Sequence, residues 1–409
     1  MNRTNKKIKN LTVLLSCGLA VFFSGCKEEG RVDHIDGSAP APAQLRYEDI
    51  TVNNTAGGAV LRYKLPADDH LLYIRAEYEI RPGVMREAKS SYFIDSLVLE
   101  GFGDTRTYDV RLYSVGKNEK ASEPVMVQVN PTKAPVHLAT KSLKEVFGGV
   151  SVSIENPEKA ALAVVLMSDT SNIGYMSILQ TFYTAMPKAT FAFRGLDSVQ
   201  YNFAVYLRDR WSNFSDTVEN ALTPIYEEEI TRNSWMSYTL TGDAPPINND
   251  PRYFVQNLWN GNRDQNSCYF TENQHLPVTL TWDFGKTIIP SRFKLFPRNH
   301  PDDRWKRGHP KVFEVYGSML PNSDGSLDNS WIPLGKFEFV KPTPGTDIVQ
   351  EDIDAANEGF DFDFEISDFA LDPFIPIRYI RFRILTTFNN TTISSVSLQE
   401  VYFWGREVQ

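Results

Sequence analysis

Apolar and polar residues alternate with a period of two along most of this chain. Between Leu72 and Ile80 every second residue is apolar or aromatic, and the residues between them are Tyr, Arg and Glu. Shorter runs of the same kind begin at Leu61 and Tyr108. This period puts alternate side chains on opposite faces of a strand, so the runs predict half-buried antiparallel strands. Gly, Pro and Asn clusters between them indicate turns.

The spacing of these strands predicts three folded modules. About seven short strands over 44–130 are typical of a β-sandwich. We expect a second copy over 131–228, because Tyr201-Asn-Phe-Ala-Val-Tyr206 repeats Tyr108-Asp-Val-Arg-Leu-Tyr113 at the same place in the plan. From 229 to 409 Trp becomes frequent, strand-like runs continue, and no long helix is expected, which favours a larger β-sandwich.

The first 43 residues have a different composition. Arg3, Lys6, Lys7 and Lys9 precede an apolar run, and small residues lead to Cys26. This arrangement predicts a secretory signal over residues 1–25. Residues 26–43 are polar and then rich in Ala and Pro, which predicts an extended tether.

Charge and cysteine content exclude several classes of function. The chain has a formal net charge of −9. The predicted signal carries basic residues and no acidic ones, so the chain that remains after its removal has a more negative net charge. An acidic protein is a poor candidate for binding nucleic acid. Beyond Cys17 and Cys26 the chain has only Cys268, so the folded part cannot form an internal disulfide. We expect Cys268 to be a packing residue.

The end of the signal resembles a bacterial lipobox. The resemblance implies cleavage before Cys26 and a lipid on its thiol. The following Lys27-Glu28-Glu29 is similar to the export signal of Bacteroidetes surface lipoproteins. It implies an outer-membrane protein that faces the cell exterior. A plain signal peptide, a short membrane anchor and an ordinary polar tether are the alternatives.

The two Tyr-led runs resemble the penultimate strand of a fibronectin type III domain, whose first Tyr makes a corner hydrogen bond. Residues 229–409 resemble the discoidin, or coagulation-factor C-type, family of galactose-binding-like jelly rolls. The segments that carry this second resemblance are Asn257–Asn262, Leu280–Lys286, Val312–Ser318 with Trp331–Gly335, Arg378–Phe382 and Leu398–Gly405. Together these resemblances imply an all-β chain of two fibronectin-like sandwiches and a discoidin-like jelly roll.

One loop of the third module concentrates donors and an aromatic ring between two predicted strands. Planar bidentate donors suit the hydroxyl pairs of a sugar, and an aromatic face suits its C–H face. In the family that the module resembles, ligands bind loops at one end of the jelly roll. The candidate ligand-binding residues are Arg298, Asn299, His300, Asp303, Arg304, Trp305 and His309, together with Asn389 from a second loop. The alternatives are a solvated loop with Trp305 folded onto the sandwich and, for the second loop, a plain turn. Tyr269 and Phe270 form a weaker third candidate.

The same resemblance implies a structural Ca²⁺ in the turn near residue 260. Its candidate ligands are Asn257, Asn260, Asn262 and Glu400. Oxygen atoms from a tight turn suit this hard ion. However, Asn260 replaces the Asp that the family usually has, so a turn held by hydrogen bonds alone is the alternative.

No sequence motif predicts catalysis. A nucleophile elbow, a zinc-binding helix and a phosphate loop are all missing from the sequence. Asp361, Asp363 and Glu365 alternate with Phe, which predicts a solvated strand edge or an acidic cation site rather than a catalytic pair. We therefore expect a carbohydrate-binding surface lipoprotein that serves polysaccharide uptake. A protein-binding adhesin or scaffold is the second hypothesis, and a glycan-active enzyme is the third.

Overall fold

The computed structural model describes residues 37–170, 173–365 and 374–408. The predicted signal and the lipidation site at Cys26 lie outside these residues. The described residues form two compact units, one within Met1–Thr132 and one within Lys133–Gln409. The fold class is all-β, as the period-two pattern predicts. The finer division into five segments stays a prediction.

Within residues 37–132, the strands form a three-stranded sheet of order β1-β2-β5 and a four-stranded sheet of order β4-β3-β6-β7. Their inward faces hold alternate residues, such as Ile74, Ala76 and Tyr78 of β3. The hydroxyl of Tyr108 donates a hydrogen bond to Asp104 Oδ1 at 2.8 Å. The strands are β1 Thr51–Thr55, β2 Gly58–Arg62, β3 Leu71–Arg81, β4 Val84–Ser91, β5 Ser96–Glu100, β6 Tyr108–Gly116 and β7 Val125–Val129.

Among the described residues from 133 to 225, the strand order repeats that of the first sandwich. The sheets are β12-β9-β8 and β11-β10-β13-β14, so each strand has a counterpart in the first copy. The short helix α1, Pro135–Leu138, precedes them. The repeat that the sequence indicates is therefore a repeat of topology. The strands are β8 Thr140–Val146, β9 Gly149–Glu155, β10 Leu162–Ser168, β11 Ser177–Thr184, β12 Lys188–Arg194, β13 Tyr201–Arg208 and β14 Val218–Leu222.

The strands after residue 225 form a jelly roll around one aromatic core. The long strand β19, Val278–Pro297, serves both layers. Its first half pairs with β23, Ile377–Thr387, and its second half pairs with β25, Ser397–Glu407, and β22, Phe360–Asp363. Gly285 lies between the halves with φ +72°, and a Cβ there would meet the Ser234 carbonyl oxygen at 2.1 Å. Only glycine fits this bend. Trp282, Phe293 and Phe403 are fully buried between the layers.

The elements of the jelly roll include one helix that the sequence does not predict. This helix, α2, covers Gln350–Glu358, and β22 follows it directly. Its first turn is fixed by Asp352, whose carboxylate accepts from the Val349 backbone N–H at 3.0 Å. The strands are β15 Glu228–Glu229, β16 Met236–Ser237, β17 Tyr269–Phe270, β18 Gln274–His275, β19 Val278–Pro297, β20 Pro310–Ser318, β21 Ile332–Glu338, β22 Phe360–Asp363, β23 Ile377–Thr387, β24 Ile393–Ser394 and β25 Ser397–Glu407.

Candidate functional site

The loop between β19 and β20 has a buried base. Arg298 and Asp303 form an ion pair of 2.6 Å with their side chains 6% and 0% exposed. Arg298 also donates through Nε to the Gln265 carbonyl oxygen at 2.8 Å. The expectation that Arg298 and Asp303 contact a ligand is wrong, because their charged groups pair with each other inside the protein. They fix the path of the loop.

Trp305 belongs to the hydrophobic core. Its side chain is 5% exposed, and Phe360 and Phe388 pack edge-on against its ring. The indole Nε1–H donates to the Asp352 carbonyl oxygen at 2.9 Å, which ties the loop to α2. The prediction that Trp305 offers an aromatic face to a sugar is therefore wrong. The alternative, a ring folded onto the sandwich, is what the structure shows.

His309 is likewise part of the scaffold. It is 1% exposed, and its Nδ1 accepts the backbone N–H of Trp305 at 2.9 Å. Burial lowers the pKa of His309 to about 3, so the imidazole is neutral at physiological pH. The predicted ligand contact of His309 is wrong for the same reason as that of Trp305. Among the described residues, no group of three acidic, His or Cys side chains is arranged to hold a metal ion.

Three predicted residues remain accessible on the outer side of the loop: Asn299, His300 and Arg304 are all half-buried. The Arg304 Nε–H donates to Asn299 Oδ1 at 2.6 Å, and the Asn299 amide donates to the Asn357 side chain at the end of α2. His300 Nδ1 accepts the backbone N–H of Asp302 at 3.2 Å, which orients the ring. Asn357 of α2 therefore holds Asn299 in place, and Asn299 in turn orients the Arg304 guanidinium.

Arg304 has no acidic partner among the described residues. Burial lowers the pKa of its guanidinium, and no carboxylate offsets that effect. The neighbouring Arg307 differs, because its guanidinium lies 3.3 Å from Asp303 and 3.4 Å from Asp302. A half-buried guanidinium with unused N–H groups is costly unless a ligand or water binds it.

The second predicted loop adjoins the first. The backbone N–H of Phe388 donates to the His309 carbonyl oxygen at 3.0 Å. Phe388 lies half-buried against Trp305, with ring centroids 5.1 Å apart. Asn389 is exposed, and its amide donates to Thr391 Oγ1 at 2.9 Å. Phe388, at the start of this second loop, is a partly accessible aromatic residue beside the first loop.

The turn at 257–262 does not fit Ca²⁺, because its oxygen atoms already accept hydrogen bonds. Asn260 Oδ1 accepts the backbone N–H of Asn262 at 2.7 Å, and Asn257 Oδ1 accepts the Asn260 amide at 3.0 Å. Asn262 Oδ1 accepts the backbone N–H of Asp264 at 2.9 Å. The candidate calcium site is thus a turn closed by its own amide groups.

Glu400, the remaining candidate calcium ligand, binds a cation of the protein itself. Its Oε1 lies 2.5 Å from Arg232 Nη1 and accepts the Gly261 backbone N–H at 3.2 Å. Arg232 also lies over the Tyr402 ring, 4.2 Å from its centroid. The sequence could not indicate this partner, because 168 residues separate it from Glu400.

Three other sequence expectations have clear outcomes. Cys268 is fully buried, and burial raises the pKa of its thiol to about 12, as expected of a packing residue. Tyr269, a weaker ligand candidate, is buried and donates to the Ala244 carbonyl oxygen at 3.0 Å. The sequence favours packing of the aromatic run from Tyr175 to Met186 in a core or between domains, with a short helix or an exposed patch as alternatives. Ser177–Thr184 of this run form β11, and Tyr175 and Met186 are 72% and 64% exposed.

Three family models match separate segments of the chain, each less than half of its length. DUF4959 matches residues 44–131, DUF5126 matches 132–233 and DUF5000 matches 259–405; each is described as a domain of unknown function. No curated protein matches the chain. No helix among the described residues is long and apolar enough to cross a membrane.

Several solved structures are similar to parts of the chain. SusE-like protein BT2857 shares 28% identity and a TM-score of 0.42, covering 67% of this chain and 100% of its own. The CBM32-3 module of a Clostridium perfringens family 31 glycoside hydrolase is 19% identical, with a TM-score of 0.31. The match covers 44% of this chain and 95% of that module. An F5/8 type C domain from Bacteroides fragilis is 12% identical, with a TM-score of 0.30. The match covers 44% of this chain and 98% of that domain. The chain is similar to these proteins over the stated parts of its length.

Proposed function

We propose that the jelly roll binds a glycan through the outer side of the loop between β19 and β20. The observation that carries this proposal is the half-buried Arg304 guanidinium, which Asn299 orients and no carboxylate neutralises. Its remaining N–H groups form a planar fork that matches two adjacent sugar hydroxyls. His300, half-buried in the same loop, is a further proposed contact.

The rest of the loop supports binding by holding these groups still. The buried Arg298–Asp303 pair and the Trp305–Asp352 hydrogen bond attach the loop to the sandwich and to α2. Rigid placement reduces the entropy that a binding site loses when it captures a ligand. Phe388 provides a partly exposed apolar surface next to the loop. Asn389 stays a proposed contact.

We further propose that a lipid on Cys26 anchors the protein in the outer membrane, with its binding modules outside the cell. The basic and apolar signal that ends at Cys26 supports this anchor. A glycan-binding module in this position would retain polysaccharide for an uptake system. The protein would act without catalysis, as the lack of catalytic motifs in the sequence suggests.

The test is glycan binding by the purified protein and two variants. Affinity electrophoresis against a panel of neutral polysaccharides should identify a retained ligand, and titration calorimetry should measure its affinity. Arg304→Gln should weaken binding by about tenfold or more, because it removes the charged fork. Arg307→Gln is the matched control, since Arg307 lies in the same loop but already pairs with Asp302 and Asp303.

Two results would overturn the proposal. One is the failure of every glycan to retard a folded wild-type protein. The other is equal binding by wild type and Arg304→Gln. Loss of binding in both Arg variants would indicate a general effect of charge, and it would remove Arg304 as the specific contact.

A protein-binding role is the second candidate, and one observation favours it. Ile173, Tyr175, Tyr183 and Met186 are 64–74% exposed on or beside β11 of the second sandwich. Exposed apolar groups of this number often mark an interaction surface. Tyr175→Ala should reduce capture of an outer-membrane partner if the protein is a scaffold, and it should leave glycan binding by the jelly roll unchanged.

A further inference from the structure

A groove crosses the outer face of the four-stranded sheet in the second sandwich. Its volume is about 580 Å³, within the usual range for a small-ligand site. Ala163 of β10 forms the floor, directly opposite Tyr183 of β11 on one side and Arg208 of β13 on the other. Directly opposed residues of antiparallel strands point to the same face. Tyr183 and Arg208 therefore form the two walls.

The floor is low because the central position is small. Ala163 is 7% exposed, while the Tyr183 side chain beside it is 73% exposed. The walls are two strand spacings apart, roughly 10 Å. This width accepts one sugar ring edge-on between an aromatic face and a guanidinium.

The wall residues have unused binding capacity. Among the described residues, Arg208 has neither an ion pair nor a side-chain hydrogen bond, and the Tyr183 hydroxyl has no hydrogen bond. Arg208 is half-buried in the groove wall. Its N–H fork is available to a ligand.

The carboxylate nearest in sequence is occupied by its own turn. Asp209 is 8% exposed and accepts hydrogen bonds from the backbone N–H groups of Trp211 and Asn213, each at 2.8 Å. The Asn213 amide donates to its other oxygen at 2.8 Å. Arg210, also at the groove, lies over the Trp211 ring at 4.3 Å. The rim therefore carries the guanidinium groups of Arg208 and Arg210, and the Asp209 carboxylate between them in sequence is bound by N–H donors.

We propose that this groove is a second glycan site, specific for a sugar that carries a carboxylate. A uronic acid residue would place its carboxylate on Arg208 in a bidentate pair and its C–H face on Tyr183. The aromatic wall favours a sugar over a simple inorganic anion. The unpaired guanidinium favours an acidic sugar over a neutral one. The site is separate from the loop between β19 and β20 and does not depend on the proposal for that loop.

The experiment uses the purified full chain with polygalacturonate, alginate and hyaluronan, each beside its carboxyl-reduced form. At least one native polymer should retard the protein, and its reduced form should bind about tenfold more weakly or less. Tyr183→Ala and Arg208→Gln should each cause a loss of the same order. Failure of all three native polymers to bind, or equal binding of native and reduced forms, would overturn the proposal.

Control variants test whether the uronate occupies this groove or another part of the protein surface. Tyr47→Ala changes an exposed tyrosine of the first module outside the groove, and Arg62→Gln changes an exposed arginine of the first sandwich. Both should bind as wild type does. Arg304→Gln should also retain uronate binding, because it alters only the jelly-roll loop. Loss of uronate binding in Arg304→Gln alone would overturn the groove and assign the ligand to that loop.

Discussion

Arg194 of β12 binds Asp363 of β22, its Nε–H donating to Asp363 Oδ2 at 2.8 Å. Its Nη2 also donates to Glu365 at 2.8 Å. The acidic alternation at 361–365 predicts a solvated edge or a cation site. In the structure, the cation that Asp363 and Glu365 bind is the guanidinium of Arg194. This pairing explains the spacing of the two carboxylates without a catalytic role.

Removal of this guanidinium should destabilise the unit formed by residues 133–409. The side chains of Arg194, Asp363 and Glu365 are only 11%, 13% and 7% exposed. Arg194→Ala should therefore lower the free energy of unfolding by about 3–5 kcal/mol, because two carboxylates lose their counter-charge. Urea denaturation measures the change. Lys188→Ala, which breaks an exposed pair with Glu155, is the control and should cost less than about 1 kcal/mol.

Trp305→Ala should reduce stability rather than remove a ligand contact. The ring fills the core between Phe360 and Phe388, so its deletion should cost about 3–5 kcal/mol. Thermal and chemical denaturation of the variant measure this loss. A variant with wild-type stability that no longer binds glycan would contradict the structural role and restore Trp305 as a contact.

Glu400 should make the protein less stable as the pH rises. Burial raises the pKa of its carboxyl to about 7, whereas a glutamate in an unfolded chain titrates near 4.3. The folded state holds this proton more tightly, so stability from Glu400 is complete below about pH 4 and falls as the pH rises to about 7. The loss should be roughly 2–4 kcal/mol.

Glu400→Gln should flatten this part of the pH profile. The measurement is the free energy of unfolding at several pH values from 4 to 8, taken as the difference between variant and wild type. Glu158→Gln, at an exposed position, should keep the wild-type profile. An unchanged profile in Glu400→Gln would show that another group causes the pH dependence.

Neither Ca²⁺ nor a chelator should change the melting temperature. The amide oxygens of the 257–262 turn accept hydrogen bonds, and Glu400 pairs with Arg232. A bound ion would have to displace these donors, and a ligand stabilises a protein only when it binds the folded state. Calorimetry in excess Ca²⁺ and in EDTA is the measurement. A higher melting temperature in Ca²⁺ would reinstate the metal site.

The sequence by itself determined the fold class and its repeat. Alternation with a period of two is a local property, because each strand must bury one face, and it indicates strands such as β3 and β23 directly. The similar runs at Tyr108 and Tyr201 indicate two sandwiches of the same strand order. The position of the main loop, between two strands, was also predictable. Of the ligand contacts predicted in this loop, Asn299, His300 and Arg304 are accessible in the structure.

Only the tertiary structure decided which side chains of that loop are accessible. Trp305 and His309 look like binding residues in sequence, yet α2, Phe360 and Phe388 cover them. The pairs Arg232–Glu400 and Arg194–Asp363 join residues more than 160 positions apart. Tyr183 and Arg208 become opposite walls of a groove only through the register of β10 with its two neighbours. Whether a side chain is buried or paired depends on which residues pack against it. Those residues come from distant parts of the chain, so a local sequence pattern does not reveal them.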